Sequence, residues 1–154
     1  DITGAETIYT TGAAGLTMGC WTWTDTTASQ ALIGKYNTTG WLLSLGASNL
    51  PAMTSDAGTK THSTALVTGT WYFVACRFVP STSIDVYLNN VKESLTSSVG
   101  ATMTNTTHAF QIGTFAAGSQ LLNGRVSLCF LCANALGDDL ISSLFQSSRV
   151  LFSV

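Results

Sequence analysis

Eight acidic residues, six Asp and two Glu, are all that the 154-residue chain offers for carboxylate chemistry. Cleavage of a glycosidic bond needs two carboxyl groups about 5–10 Å apart. The glutamates, Glu6 and Glu93, are distant in sequence, and no Glu-x-Asp-x-Glu run exists in which strand alternation would gather acids on one face. Asp138 and Asp139 are adjacent rather than spaced for one face, and read as charges at a helix start. No catalytic residue is assigned, and hydrolysis is disfavoured.

Cysteine is the next candidate. Cys20, Cys76, Cys129 and Cys132 admit three readings: buried free thiols, one cross-strand disulfide, or zinc. Residues three apart in a strand point to opposite faces, so Cys129 and Cys132 would share a metal only across a turn. Cys20 and Cys76 fall on inward positions among apolar neighbours, where a thiol behaves as a small hydrophobe. Four buried thiols is the reading adopted. His62 and His108 are single, in polar segments, and are expected to be exposed loop residues.

For ligand binding, the apolar faces of tryptophan rings suit a pyranose. Trp21 and Trp23 share one face of their segment and are candidates, as are Asn37 and Asn105, each of which opens an Asn-x-Thr glycosylation pattern. Asp25, Asp56, Asn37 and Asn105 also offer oxygens for calcium. A hard cation takes six to eight such ligands, usually with several carboxylates. These donors are scattered, so calcium is a minor expectation and no metal site is assigned.

The composition agrees with this scarcity. Only 9% of residues are charged, 45% are apolar and the net charge is −2. The 24 Thr and 17 Ser must then supply much of the solvent face. Three Lys and three Arg are scattered along the chain. With no basic patch to neutralise phosphates, nucleic acid is not an expected partner. Apolar stretches are far shorter than the roughly 18 residues that cross a bilayer, so no membrane insertion is expected. The chain opens at Asp1 rather than Met, and reads as a piece processed or excised from something longer.

The elements that must position these residues are strands. Glycines separate short runs rich in Val, Ile, Thr and aromatics at roughly ten-residue spacing, the rhythm of an all-β sandwich or barrel. Leu16 to Thr24 alternates as one strand. Ala31 to Lys35 and Trp41 to Leu45 flank a turn-forming Tyr36-Asn37-Thr38-Thr39-Gly40 and predict a hairpin. Asn49 to Ser63 is read mainly as loop, with at most one short strand. Trp71 to Val79 is apolar on both faces and should be central. Residues 83 to 96 form a second hairpin, with Asn89-Asn90 suited to positive φ. Thr107 to Gly113 and Leu122 to Cys132 are two more strands, the latter with Val126, Leu128, Phe130 and Cys132 on one face. Leu136, Leu140, Ile141, Leu144 and Phe145 then repeat at 3.6 residues and predict a short amphipathic helix. Val150-Leu151-Phe152 offers a closing strand.

The ordered set Leu16-Thr-Met-Gly-Cys-Trp21, Leu32-Ile-Gly-Lys-Tyr36, Gly40-Trp41-Leu42, Gly69-Thr-Trp-Tyr-Phe-Val-Ala75 and Val86-Tyr-Leu-Asn-Asn-Val91 resembles the laminin-G-like and pentraxin-like branch of the concanavalin A-like jelly rolls. Ile112-Gly113, Asn123-Gly124 and the helical segment after Leu136 are similar to that family's ending. The resemblance implies two antiparallel sheets packed face to face, binding of sugars or proteins through rim loops, and core positions for Trp41 and Trp71. Ser127 and Leu128 stand where the family commonly carries an acidic pair, Gly137 stands at a helix start where it prefers Ser, and its usual opening strand before Ile8 is mostly missing.

The expectation is therefore one jelly-roll domain over residues 1–154 that binds or builds rather than catalyses. By analogy of surface character it is a virion surface component of the phage tail, fibre or capsid-decoration type, and the alternative is a carbohydrate-binding module of a secreted or cell-surface protein. Its partners would be protein neighbours in an assembly or surface glycans, its state a homo-oligomer or part of a larger particle, and its place the virion surface or the extracellular space.

Overall fold

The computed structural model describes residues 15–104, 106, 108–115 and 118–153. They form ten strands and one helix: β1 (Leu16–Thr24), β2 (Gln30–Tyr36), β3 (Gly40–Leu45), β4 (Pro51–Ser55), β5 (Gly58–Thr61), β6 (Trp71–Val79), β7 (Ser83–Leu88), β8 (Val91–Leu95), β9 (Gln111–Ile112), β10 (Gly124–Cys132) and α1 (Asp138–Ser148). Two five-stranded sheets result, ordered β10-β1-β6-β7-β8 and β5-β4-β3-β2-β9. Every strand pair in them is antiparallel. This is the jelly-roll sandwich expected.

Alternation drives the assembly. In β1, Leu16, Met18 and Cys20 point inward and meet Val74, Cys76 and Phe78 of β6, Ile84 and Val86 of β7, and Trp41, Leu43 and Met53 of the second sheet. β6, apolar on both faces, takes the central place in its sheet. Its outer face is also covered, because Trp21, Phe73, Ala75 and Tyr87 form a second core with Ile141 and Phe145 of α1. The molecule thus has three layers: sheet, sheet, helix. Gly19 belongs to this outer layer for a steric reason, since a Cβ there would meet the Phe130 ring at 2.8 Å. Asn89 and Asn90 carry φ of 45° and 72° between β7 and β8, the positive pair of a type I′ hairpin turn.

Five expectations need correction. Residues 49 to 63 hold two strands rather than a loop, since Pro51 opens β4 where a missing N–H is tolerated and β5 is a polar edge with no apolar signature. The strand expected at Thr107–Gly113 shrinks to Gln111–Ile112, Thr107 lying outside the described residues. In β10 the alternation breaks, because Gly19 pairs with Phe130 but Trp21 with Ser127, which leaves Leu128 and Cys129 opposite Cys20. Val126 and Leu131 therefore join the intersheet core, Phe130 the helix layer, and Leu128 is exposed. α1 buries Ile141 and Phe145 but leaves Leu140 and Leu144 exposed. Finally, Arg149–Leu151 is a 3-10 turn, not a strand, although Phe152 does pack on the sheet, 4.3 Å from Trp21 between ring centres.

Candidate functional site

Strand register places three residues in a row across one end of the first sheet. Trp23 of β1 pairs with Trp71 of β6 on one side and with Arg125 of β10 on the other. The two indoles meet edge to face at 6.1 Å. The Arg125 guanidinium lies 5.3 Å from the Trp23 ring centre, a cation–π contact. The Trp23 Nε1–H donates to Asp25 Oδ1 at 3.0 Å. Asp25 and Arg125 are exposed and both indoles are half-buried. The patch therefore presents apolar ring surface bordered by one carboxylate and one guanidinium, each held in place: the elements of a site for a polyhydroxylated ligand with an apolar face.

Buried Gln30 fixes the frame beneath it. Its Nε2 donates to Thr24 Oγ1 at 2.7 Å and to the Thr26 carbonyl at 3.3 Å, while its Oε1 accepts the Asn123 N–H at 2.7 Å. The Asp25 N–H in turn donates to the Asn123 carbonyl at 2.9 Å. Neither Gln30 nor Arg125 stands out in the sequence. Only the β1–β10 register brings Arg125 to Trp23.

The other candidate residues are not gathered here. Trp21 is fully buried, stacked on Phe145 and Phe152 with its Nε1–H donated to Ser148 Oγ at 2.8 Å. No ring face is left for a sugar, because the helix covers the strand face that Trp21 shares with Trp23. Trp71, expected in the core, is half-buried: it packs on the helix-side core, 4.8 Å from Phe152 between ring centres, and meets Trp23 at the edge of the patch, whereas Trp41 is buried as expected. β2 starts beside Thr24 and leads away for seven residues, so Asn37 lies about 20 Å off at the opposite end. There its Nδ2 is 3.0 Å from His108 Nε2. Asn105 lies outside the described residues. Of the calcium donors, Asp25 serves Trp23 while Asp56 accepts from Thr104 at the far end. Among the described residues no three His, Cys, Asp or Glu side chains converge as a metal site would require.

Two polar clusters have structural work. Asp138, expected only as a helix-start charge, ties α1 to the sheet by accepting from Lys92 Nζ at 2.6 Å and Tyr87 Oη at 2.8 Å, with Arg77 Nη1 at 2.9 Å. The Lys92 hydrogen bond, aided by Tyr87 and Arg77, holds its carboxyl below the ordinary value against a smaller effect of burial. His62 is buried rather than exposed; its Nδ1 accepts the Thr64 N–H at 3.0 Å and lies 3.5 Å from Glu93.

Glu93 joins the edge strands of the two sheets through Lys60 Nζ at 2.8 Å, and also accepts from the Ser63 N–H and hydroxyl. These bonds, Lys60 first, lower its carboxyl from 4.5 to about 2. A depressed folded value stabilises the fold above the unfolded value and is lost as pH falls through the folded one, here between about 4.5 and about 2. The side chain is one-quarter exposed, so screening limits the effect to ~1 kcal/mol. Urea titrations should show the wild type losing that much more stability than Glu93→Gln across this window. Parallel losses would contradict the assignment.

An apolar groove of about 250 Å³ runs between β10 and the end of α1, lined by Trp21, Phe73, Leu128, Phe130, Leu144, Ser147 and Ser148. No helix among the described residues is long and apolar enough to cross a membrane.

Two face-to-face antiparallel sheets with a rim of aromatic and polar side chains define a jelly roll of the lectin type. The chain belongs to the laminin G family of the Concanavalin A-like lectin/glucanases superfamily, whose profile matches residues 3–141. Among solved structures, a Bacteroides ovatus protein described as a candidate carbohydrate binder superposes with a TM-score of 0.71 at 16% identity, over 84% of this chain and 40% of its own. A heptameric SAP-like pentraxin from Limulus polyphemus gives 0.67 at 13% identity, over 86% and 70%. The binding domain of botulinum neurotoxin serotype G gives 0.67 at 12%, over 92% and 38%. At these identities the likeness is one of fold. The chain spans about two-fifths of the length of the first of these structures. No curated protein sequence matches it.

Proposed function

We propose that the chain is a non-enzymatic binding module that takes a glycan on the Trp71–Trp23–Arg125 row. The observation that carries this is the row itself, two half-buried indoles in contact, flanked by an ordered guanidinium and carboxylate. Engagement of four acids elsewhere supports the non-enzymatic part: Glu93 is held by Lys60, Asp85 by Arg77, Asp138 by Lys92 and Asp56 by Thr104. The family and the fold of the neighbours are compatible with an extracellular module that meets surface glycans. A broad glycan screen should return a ligand of millimolar or better affinity, and Trp23→Ala should weaken it at least about tenfold, or ~1.4 kcal/mol. Asn37→Ala, at the far end, should leave it unchanged. A silent screen, or full binding by Trp23→Ala, sinks the proposal.

A second reading, a structural subunit of an assembly such as a virion surface, is favoured by the exposed Leu128, Leu140, Leu144, Val150 and Leu151 on the helix side. It predicts a homo-oligomer or a particle with a large apolar contact. A purified chain that runs as a monomer at high concentration counts against it.

A further inference from the structure

The bulge in β10 changes which cysteine faces which. β10 places two residues, Leu128 and Cys129, opposite the single Cys20 of β1, and Leu128 absorbs the extra residue with a φ of 48°, the left-handed conformation that glycine takes as the first residue of a G1 bulge. Since Phe130 faces the helix layer and Leu131 the intersheet core, alternation puts Cys129 on the inner side of its strand, the side Cys20 occupies on β1. The two thiols lie close enough to shift each other's acidity, Cys20 upward and Cys129 downward. Directly opposed residues of a regular antiparallel pair have Cα atoms about 4.5–5.5 Å apart, and the roughly 4.4–6.8 Å that a disulfide spans leaves room for the displacement a bulge adds. Of the four thiols expected to be buried only Cys20 and Cys76 are, because Cys129 and Cys132 lie on the edge strand β10, where Cys129 is exposed and Cys132 half-buried. The alternatives fit less well. Cys132 pairs with Thr17 and points away from Cys129, and Cys76 is as buried as Cys20.

We propose that Cys129 and Cys20 are a reactive pair, in which Cys129 is modified by a small disulfide oxidant of the oxidised-glutathione class and Cys20 resolves the adduct into a β1–β10 cross-link. The Cys129 thiolate attacks one sulfur of the oxidant; the oxidant's S–S bond breaks, and the departing thiolate takes up a proton. Cys20 then loses its proton, attacks the Cys129 sulfur and expels the second small thiol. Two protein thiols are oxidised by two electrons, and one oxidant molecule is reduced to two thiols. The order follows from access and acidity. Cys20 pulls the Cys129 thiol down, whereas Cys129 and burial push Cys20 up, and the thiolate is the nucleophile.

Treatment of the folded chain with oxidised glutathione, followed by intact mass and non-reducing peptide mapping, tests this. The expected result is loss of two hydrogens and a peptide joining Cys20 to Cys129. The thermal midpoint should rise by roughly 5–10 °C, a gain reversed by dithiothreitol. Cys132→Ser should still cross-link, and Cys20→Ser should stop at a glutathione adduct on Cys129. A map joining Cys129 to Cys132 or Cys20 to Cys76, or Cys129 still free to alkylate after oxidation, overturns the proposal. The wild-type map decides even where a variant fails to fold.

Discussion

Replacing Trp21 with alanine should lower the free energy of unfolding by about 3–5 kcal/mol. The indole is fully buried and touches three aromatic rings at 4.3, 5.7 and 5.8 Å: Phe152, Phe73 and Phe145. These come from β6, from α1 and from the residues after it, so one side chain fastens the helix layer to the sheet. Deleting it removes the transfer energy of a large ring and leaves a cavity among partners whose backbones are already fixed. Trp21→Phe keeps most of the packing and loses the bond to Ser148 Oγ, so about 1–2 kcal/mol is expected. Urea unfolding of both variants checks the pair. A loss below about 1.5 kcal/mol for alanine would mean that the helix layer contributes little to the fold.

Arg77→Met should cost about 3–5 kcal/mol through a different mechanism. Asp85 is 1% exposed and is held by Arg77 Nε at 2.8 Å and Nη2 at 2.7 Å, with the Ser83 hydroxyl at 3.2 Å as its further partner. Without the guanidinium its charge is left buried with one weak donor. Arg77 Nη1 also donates to the Leu136 carbonyl at 2.7 Å, just before α1. The double variant Arg77→Met/Asp85→Asn removes the buried charge as well, and should recover at least about half of the loss. No recovery in thermal or urea unfolding would place the cost in the Leu136 and Asp138 contacts instead of in Asp85.

Much of the architecture was legible because its signals are local. β1 and β6 match their expected bounds, β1 because it alternates and β6 because it is one continuous run of apolar and β-forming residues, and the β7–β8 hairpin is announced by Asn89-Asn90. What escaped has its cause elsewhere in the chain. A leucine at positive φ carries no signature of a bulge, so the outward shift of Leu128 could be known only from the β1 register. β5, with Thr59, Lys60 and Thr61, is polar because it is an edge, and polar residues between turns read as loop. The site shows the same division. Trp23 was found as a residue type, but Trp21, two positions away on the same strand face, differs only because Phe145 and Phe152 fold back over it. Arg125 joins the patch through a pairing that spans a hundred residues of sequence. Asn37, the other described candidate, lies beside His108 at the opposite end of β2.

Gln30 gives the candidate site a property that no surface residue could. The segment carrying Asp25 and the segment carrying Asn123 and Arg125 are anchored to the same buried amide, so the two walls of the patch behave as one rigid piece. Thr27, Ala28 and Ser29, which are exposed, lie outside that frame and can vary in sequence without changing the distance between the walls. A family built on this plan can diversify what surrounds its ligand while leaving the row of rings where it is.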